Sequence, residues 1–323
     1  MKRFTWGFDN PHFDFVGQRW IAFTVDGLLL VVVIISLWFQ GLNLGIDFTG
    51  GVLMEVSRIG GPPIGDVEEA DQIRKKVEAL GFGKIEVQSI RGANGARGVA
   101  IRVPPVAKVA DQEQEVANQI KAALGPIYRT DNVAVVGPKV SGELFQSGVI
   151  AAILAVLMIA VYVAVRFEWQ FGISALLSNG HDVLMAVGLY SILQLDFNLA
   201  SIAALLMLAG YSINETVIIF DRIRENRRKF KRMELGELIN QSTNQTLART
   251  VKTSTTVALA LIPLALFGGE ALFGFSITVL WGIISGTYSS IFVASSLLLY
   301  MPPLTIGQSR ADAAKSVTQR AQG

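Results

Sequence analysis

The sequence predicts an α-helical membrane protein: six transmembrane helices, with one small extracytoplasmic α+β domain of ferredoxin-like (βαββαβ) order between the first and second. Three observations predict it. Of 323 residues, 51% are hydrophobic and 17% charged, whereas a soluble domain carries roughly 25% charged residues. Apolar runs long enough to cross a bilayer at ~1.5 Å per residue recur along the chain. A single stretch, residues 43–142, interrupts them with alternating and amphipathic patterns that suit a small globular domain.

The first span runs from about Trp20 to Leu42, after a short cytoplasmic segment of residues 1–19. It is longer than the apolar part of a signal peptide and leads into Gly41-Leu-Asn-Leu-Gly-Ile-Asp47 without a small-x-small cleavage site, so it reads as a retained helix. Residues 143–300 supply the other five spans, near Glu143–Val165, Phe171–Leu193, Leu199–Phe220, Leu247–Phe267 and Phe275–Tyr300, and residues 301–323 form a cytoplasmic tail. The fifth is the least apolar. Its purely apolar part, Val257–Phe267, is half a bilayer long, so the helix must begin near Leu247 and draw Arg249, Lys252, Thr253 and Thr256 into or beside the membrane. Pro263 is expected to kink it, which bundles tolerate.

Within residues 43–142, Ile46–Val56 reads as a strand with a bend at Gly50-Gly51. Val67–Leu80 reads as a helix with Asp66 as N-cap, Glu69 at the third position and Gly81 beyond its end. Lys84–Ile90 and Val99–Val103 alternate as strands around the glycine-rich turn Arg91–Gly98. Asp111–Leu124 reads as a second helix, stopped by Gly125-Pro126, and Asn132–Val140 as the last strand. In this β-α-β-β-α-β order the first and last strands are neighbours, so both lead into spans one and two from the same end of the sheet.

Charge sets the expected orientation. The loop after the fourth span carries Arg222, Arg224, Arg227, Arg228, Lys229, Lys231 and Arg232, whereas Gln194–Asn198 and Gly268–Gly274 contain no Lys or Arg. The positive-inside rule therefore places the basic loop and both termini in the cytoplasm and residues 43–142 outside. With no cysteine and two histidines, a disulfide framework and a zinc centre are not expected. Nor is a cofactor, a nucleic-acid partner or an enzymatic activity.

Ionisable groups inside spans cost at least ~2.5–3.5 kcal/mol and mark ion or proton pathways by default. Glu215 lies in the fourth span, with Tyr211 and Asn214 at positions i−4 and i−1 on what reads as one face. Thr246, Arg249, Thr253 and Thr256 form a polar stripe on the fifth. Asn179, His181 and Asp182 lie near the middle of the third. Glu215 and Arg249 fall at similar depth on successive antiparallel helices, which suggests a carboxylate–guanidinium pair, and arginine stays charged when buried. The competing readings are a structural hydrogen bond for Glu215, lipid-facing snorkelling for Arg249, and a register-fixing pair for His181 and Asp182. Gly282 and Gly286 read as helix-packing contacts.

Several motifs together carry a resemblance. Gly45-Ile-Asp-Phe-Thr-Gly-Gly51 after the first span, Val136-Gly-Pro-Lys-Val-Ser141 before the second, and Gly210-Tyr-Ser-Ile-Asn-Glu-Thr216 running into Phe220-Asp-Arg-Ile-Arg-Glu-Asn226 resemble the SecD/SecF protein-export family, in its SecF branch. Gln245–Thr250, Thr253-Ser254, Leu266-Phe-Gly-Gly269 and Gly286–Ala294 extend the likeness over nearly the whole chain, in order. The resemblance implies a subunit of the resistance-nodulation-division superfamily that pairs with a SecD-like partner beside a SecYEG-type channel. Such a subunit uses protons to assist late, outer-side steps of preprotein export across the bacterial inner membrane. It also implies that Glu215, where the family usually has Asp, is the essential carboxylate, with Asn214 in its motif, Arg249 and Thr253 as partners and Asp182 in a less settled role. An exporter of small molecules or lipids, and a passive scaffold of the channel, are the alternative readings.

Overall fold

The computed structural model describes residues 12–59, 67–83, 85–91, 97–105 and 113–304. The expected N-cap Asp66, Lys84, most of the glycine-rich turn, the helix start at Asp111 and the tail from residue 305 lie outside the described residues. Among the described residues, six helices are long and apolar enough to cross a membrane. They are α1 (Arg19–Phe39), α5 (Pro138–Arg166), α6 (Trp169–Leu193), α7 (Leu199–Lys229), α8 (Leu235–Phe267) and the span Leu272–Tyr300. The last comprises α9 (Gly269–Ser289), a π-helical turn at Ser290–Ala294 and a short continuation to Tyr300.

Between α1 and α5 lie α2 (Ile46–Thr49), β1 (Gly51–Arg58), α3 (Val67–Glu78), β2 (Glu86–Arg91), β3 (Arg97–Val103), α4 (Glu113–Leu124) and β4 (Tyr128–Val136). The strands form one antiparallel sheet in the order β2-β3-β1-β4, which is the ferredoxin-like arrangement. Alternation explains the core. Val52, Met54 and Val56 of β1 and Val99, Ile101 and Val103 of β3 are buried with Ile73 and Val77 of α3 and Ile120 of α4. The intervening residues face the other way.

Four boundaries differ from expectation. The stretch Ile46–Val56 is not one strand: Ile46–Thr49 forms a helical turn, and Gly50 and Gly51 take φ of 76° and 113° before β1 begins. A side chain on Gly51 would come within 2.2 Å of the Val103 carbonyl oxygen, so only glycine fits the turn. The last strand lies four residues earlier, at Tyr128–Val136. Pro138 has no N–H to give a ladder and suits the first turn of a helix, so α5 starts there rather than at Glu143. The fifth span belongs to a longer helix that starts at Leu235 and runs through Pro263 without interruption.

The extra length of α8 packs against the extra length of α7 as an antiparallel pair beyond the apolar layer. Ile223, Leu238 and Ile239 are buried there, and Asn226 donates to Ser242 and Gln245 at 2.9 Å each. Residues 13–16 dock on the same end of α8. Asn244 bonds both backbone groups of Phe13, at 2.9 and 2.8 Å, and Asn240 accepts from Val16 N–H at 2.9 Å while donating to Asp14 at 2.7 Å. The described N-terminal segment and the basic loop therefore lie on one side of the bundle, and the sheet on the other.

The sheet is tied to the bundle through the α6–α7 connection. Asn43 and Gly45 exchange backbone bonds with Phe197 at 2.7 and 2.8 Å, and Asp47 accepts from Leu199 N–H at 2.9 Å. Arg102 of β3 forms an ion pair with Asp196. The rings of Phe48, Phe145, Tyr190 and Phe197 pack together there, edge-to-face or tilted.

Candidate functional site

The centre of the bundle is built by α6, α7 and α9, and small residues allow their close approach. A side chain on Gly282 would meet Leu208 at 2.3 Å, and one on Gly286 would meet Ser212 at 3.1 Å. The two glycines are packing contacts between α7 and α9, as read from the sequence. The flanks are different. Of the most apolar window in α5 and in α8, 11% is buried, against 61% in the last span.

Two carboxylates are fully buried among these helices, Glu215 and Asp182. Glu215 lies 16 residues from the sheet-side end of α7, about 24 Å along the helix. Its Oε2 accepts a hydrogen bond from Thr250 Oγ1 at 2.7 Å. Its Oε1 is buried and has no partner among the described residues. Arg249, the residue beside Thr250 on α8, is exposed and makes no ion pair with Glu215; it acts only as a nearby positive charge. One position on a helix is ~100°, so Arg249 and Thr250 cannot both face α7. For the same reason Asn214 is exposed beside the buried Glu215, and the expected shared face splits. Tyr211 instead joins a hydroxyl chain through Ser254 to Thr287, at 2.9 Å per step. Thr253, half-buried, donates to the Arg249 carbonyl at 3.0 Å.

Asp182 lies 11 residues from the sheet-side end of α6, about 16 Å along the helix and near mid-membrane. It accepts from Ser212 of α7 at 2.5 Å and from Ser289 and Ser285 of α9 at 2.7 and 3.4 Å. Ser212 and Ser289 bond Oδ2, whereas Ser285 bonds Oδ1, and His181 Nδ1 is 3.1 Å from that same Oδ1. Ser285 and Ser289 are four residues apart on α9 and share the face towards Asp182. Ser290, next in sequence and first in the π-turn, bonds Thr216 of α7 at 2.9 Å. Ser212 and Thr216 flank Glu215 on α7, so the two acid sites are one helical turn apart and share a line of hydroxyls.

Two residues of this centre were not read from the sequence. Thr250 carries no charge to single it out beside Arg249. Asp26 of α1 is 7% exposed, and its Oδ1 lies 2.9 Å from His181 Nε2. Its signal was present: an acid eight residues inside an otherwise apolar span, subject to the same rule that singled out Glu215.

Six apolar spans around a centre that buries ionisable side chains define a multi-pass membrane protein. The comparisons narrow the class. Residues 116–303 match the family model described as "Protein export membrane protein SecD/SecF, C-terminal", and residues 35–57 match the SecD/SecF GG motif. The chain therefore belongs to the SecD/SecF protein-export family. It is 36% identical to the protein translocase subunit SecF of Rhodobacter capsulatus, over 91% of this chain and 90% of that one. It is 38% identical to that of Pseudomonas aeruginosa, over 89% and 91%. The crystal structure of SecDF from Thermus thermophilus, described as a translocon-associated membrane protein, superposes with a TM-score of 0.79 at 34% identity. That likeness covers 92% of this chain and 39% of the longer SecDF chain.

Proposed function

We propose that this chain is a SecF-type subunit in protein translocation, paired with a SecD-like partner beside a SecYEG-type channel in the bacterial inner membrane. It couples proton entry to late, outer-side steps of preprotein export. The translocase reading rests on SecF subunits matched over nine-tenths of both chains. A small-molecule exporter and a passive scaffold are not favoured by these matches. The SecD-like partner also answers a physical need. The exposed Asn214 and Arg249 lie on a flank of α7 and α8 that lipid alone would solvate poorly. The orientation that suits this role puts the basic loop and the termini in the cytoplasm and residues 43–142 outside.

The observation that carries the proton reading is Glu215 itself: one oxygen bonded to Thr250, the other buried without a partner. A carboxylate with an unfilled acceptor site in a dry setting gains by taking up a proton. Arg249, one position round α8 from Thr250, is the cation that stabilises the deprotonated form when α8 turns. Asn214 and Thr253 line the same flank, and Asp182 lies one turn deeper along the hydroxyl line. Protonation thus exchanges one α7–α8 contact for another. The α6–α7 connection, with Asp196 and Phe197, carries the movement to the sheet domain. A membrane potential of 100 mV supplies ~2.3 kcal/mol per charge, and each pH unit ~1.4 kcal/mol. That is enough to bias a two-state equilibrium. Glu215→Gln, reconstituted with partner and channel, is expected to abolish gradient-stimulated completion of translocation while leaving assembly intact. Unchanged stimulation would refute the relay.

A further inference from the structure

His181 is flanked by two acids from two helices. Its Nε2 lies 2.9 Å from Asp26 Oδ1 on α1, and its Nδ1 lies 3.1 Å from Asp182 Oδ1 on its own helix. All three side chains are at most 10% exposed. The Asp26 contact has the distance of an ion pair without the angles of a hydrogen bond, since Nε2 has no such partner among the described residues. His181 is the sole basic side chain within 4.0 Å of either acid among the described residues.

The neighbours do not dilute this relation. From α7 the facing group is Ser212, with Glu215 one turn beyond. From α9 they are Ser285, Ser289 and Tyr288, whose phenol donates to the Ala22 carbonyl of α1 at 2.7 Å. The α5 surface opposite this part of α6 is apolar, formed by Ala152, Ile153, Val156 and Leu157. One turn towards the basic-loop end of α6, Ser178 and Asn179 are buried with side chains unpartnered among the described residues.

We infer that Asp26, His181 and Asp182 form a second proton-binding site, in which an imidazolium bridges α1 to the α6–α9 core. With His181 doubly protonated, the triad carries one net negative charge and each acid has a cation. With His181 neutral, two carboxylates face each other across an imidazole that can donate to only one of them. Asp182 has its serines to fall back on. Asp26 has no other ion-pair partner among the described residues, so the weakened contact is the one that holds α1. The remaining grip of α1 on the bundle is mostly steric and neutral. Val33 packs on Gly188, where any side chain would come within 2.4 Å, and Ser36 bonds Ser191 at 2.8 Å. Because α1 continues through α2 into β1, proton loss at His181 frees the strand-bearing helix. This site goes beyond the Glu215 relay and does not depend on it.

The chain has two histidines, so a His12→Gln background leaves His181 as the only imidazole. Full-length protein labelled with ¹⁵N-histidine in lipid vesicles, followed by solid-state NMR against pH, reads the protonation of that ring directly. The expected result is imidazolium at pH 7 and a proton affinity at least about tenfold lower in Asp26→Asn. Glu215→Gln should leave the titration unchanged. A ring that is neutral at pH 7, or one whose titration is indifferent to Asp26→Asn, would overturn the proposal. The His181 ring in the protein with Asp26 intact already supplies the first of these outcomes, should the Asp26 variant fail to fold. Loss of gradient-stimulated translocation in Glu215→Gln with a neutral His181 would leave the relay standing and remove only this second site.

Discussion

The two fully buried acids of the bundle make opposite use of the same hydroxyl line. Asp182 is saturated: three serines and an imidazole surround it. Glu215 is undersupplied: Thr250 bonds one oxygen and nothing among the described residues bonds the other. A carboxylate whose lone pairs are filled by donors is stabilised as an ion, and its removal strands the donors. A carboxylate with an open lone pair has something to gain from a proton. Burial alone therefore does not separate the two acids; the count of donors around each one does.

Breaking that contrast should cost most at Asp182. Asp182→Ala leaves His181 and the serine hydroxyls buried without their acceptor, and is expected to destabilise the bundle by ~3–5 kcal/mol. Thermal unfolding in detergent, with Glu215→Gln as reference, measures it. The reference should stay within about 1 kcal/mol of the parent, because the Gln carbonyl still accepts from Thr250. Thr250→Val sharpens the comparison from the other side. It removes the one donor to Glu215 and should raise its proton affinity without unfolding the protein, at a stability cost of about 1 kcal/mol. Infrared titration of the carboxyl band follows the first effect and thermal unfolding the second.

Smaller effects are expected where the sheet meets the bundle. Arg102 is ion-paired with both Glu86 and Asp196 and is mostly covered. Arg102→Ala should loosen the α6–α7 connection from β3, seen as faster amide exchange around residues 195–198 with the sheet core unchanged. The smallest effect belongs to Glu55 on β1. Burial pushes its carboxyl above the ordinary range, and Asp131 adds to this while a hydrogen bond from Asn132 opposes it. The folded form therefore holds the proton more tightly than the unfolded one. This contribution is fully present below the unfolded pKa and is lost as pH rises through the raised folded value. Glu55→Gln should flatten that part of the stability–pH curve, as read by denaturant unfolding across about pH 4 to 7.

Much of the architecture was legible because it follows from periodicity. Apolar runs gave the spans, and the alternation of Val52, Met54, Val56 and of Val99, Ile101, Val103 gave the inner face of the sheet. What failed was phase and boundary. Leu235–Thr246 is amphipathic rather than apolar, so a rule tuned to the membrane could not extend α8 outward. Pairing Glu215 with Arg249 assumed a helix rotation that sequence does not specify, and a shift of one residue put Thr250 in its place. The π-turn at Ser290–Ala294 has no sequence signature. Asp26 was different: its charge was visible, but only tertiary structure brings α1 beside His181.

The central claim is that Glu215, and not Asp182, gains and loses a carboxyl proton. Difference infrared spectroscopy of the reconstituted complex across a pH step tests it most directly. A carboxyl carbonyl band should appear on acidification in the parent, vanish in Glu215→Gln and persist in Asp182→Asn. A band that survives Glu215→Gln unchanged and disappears with Asp182→Asn would contradict the account.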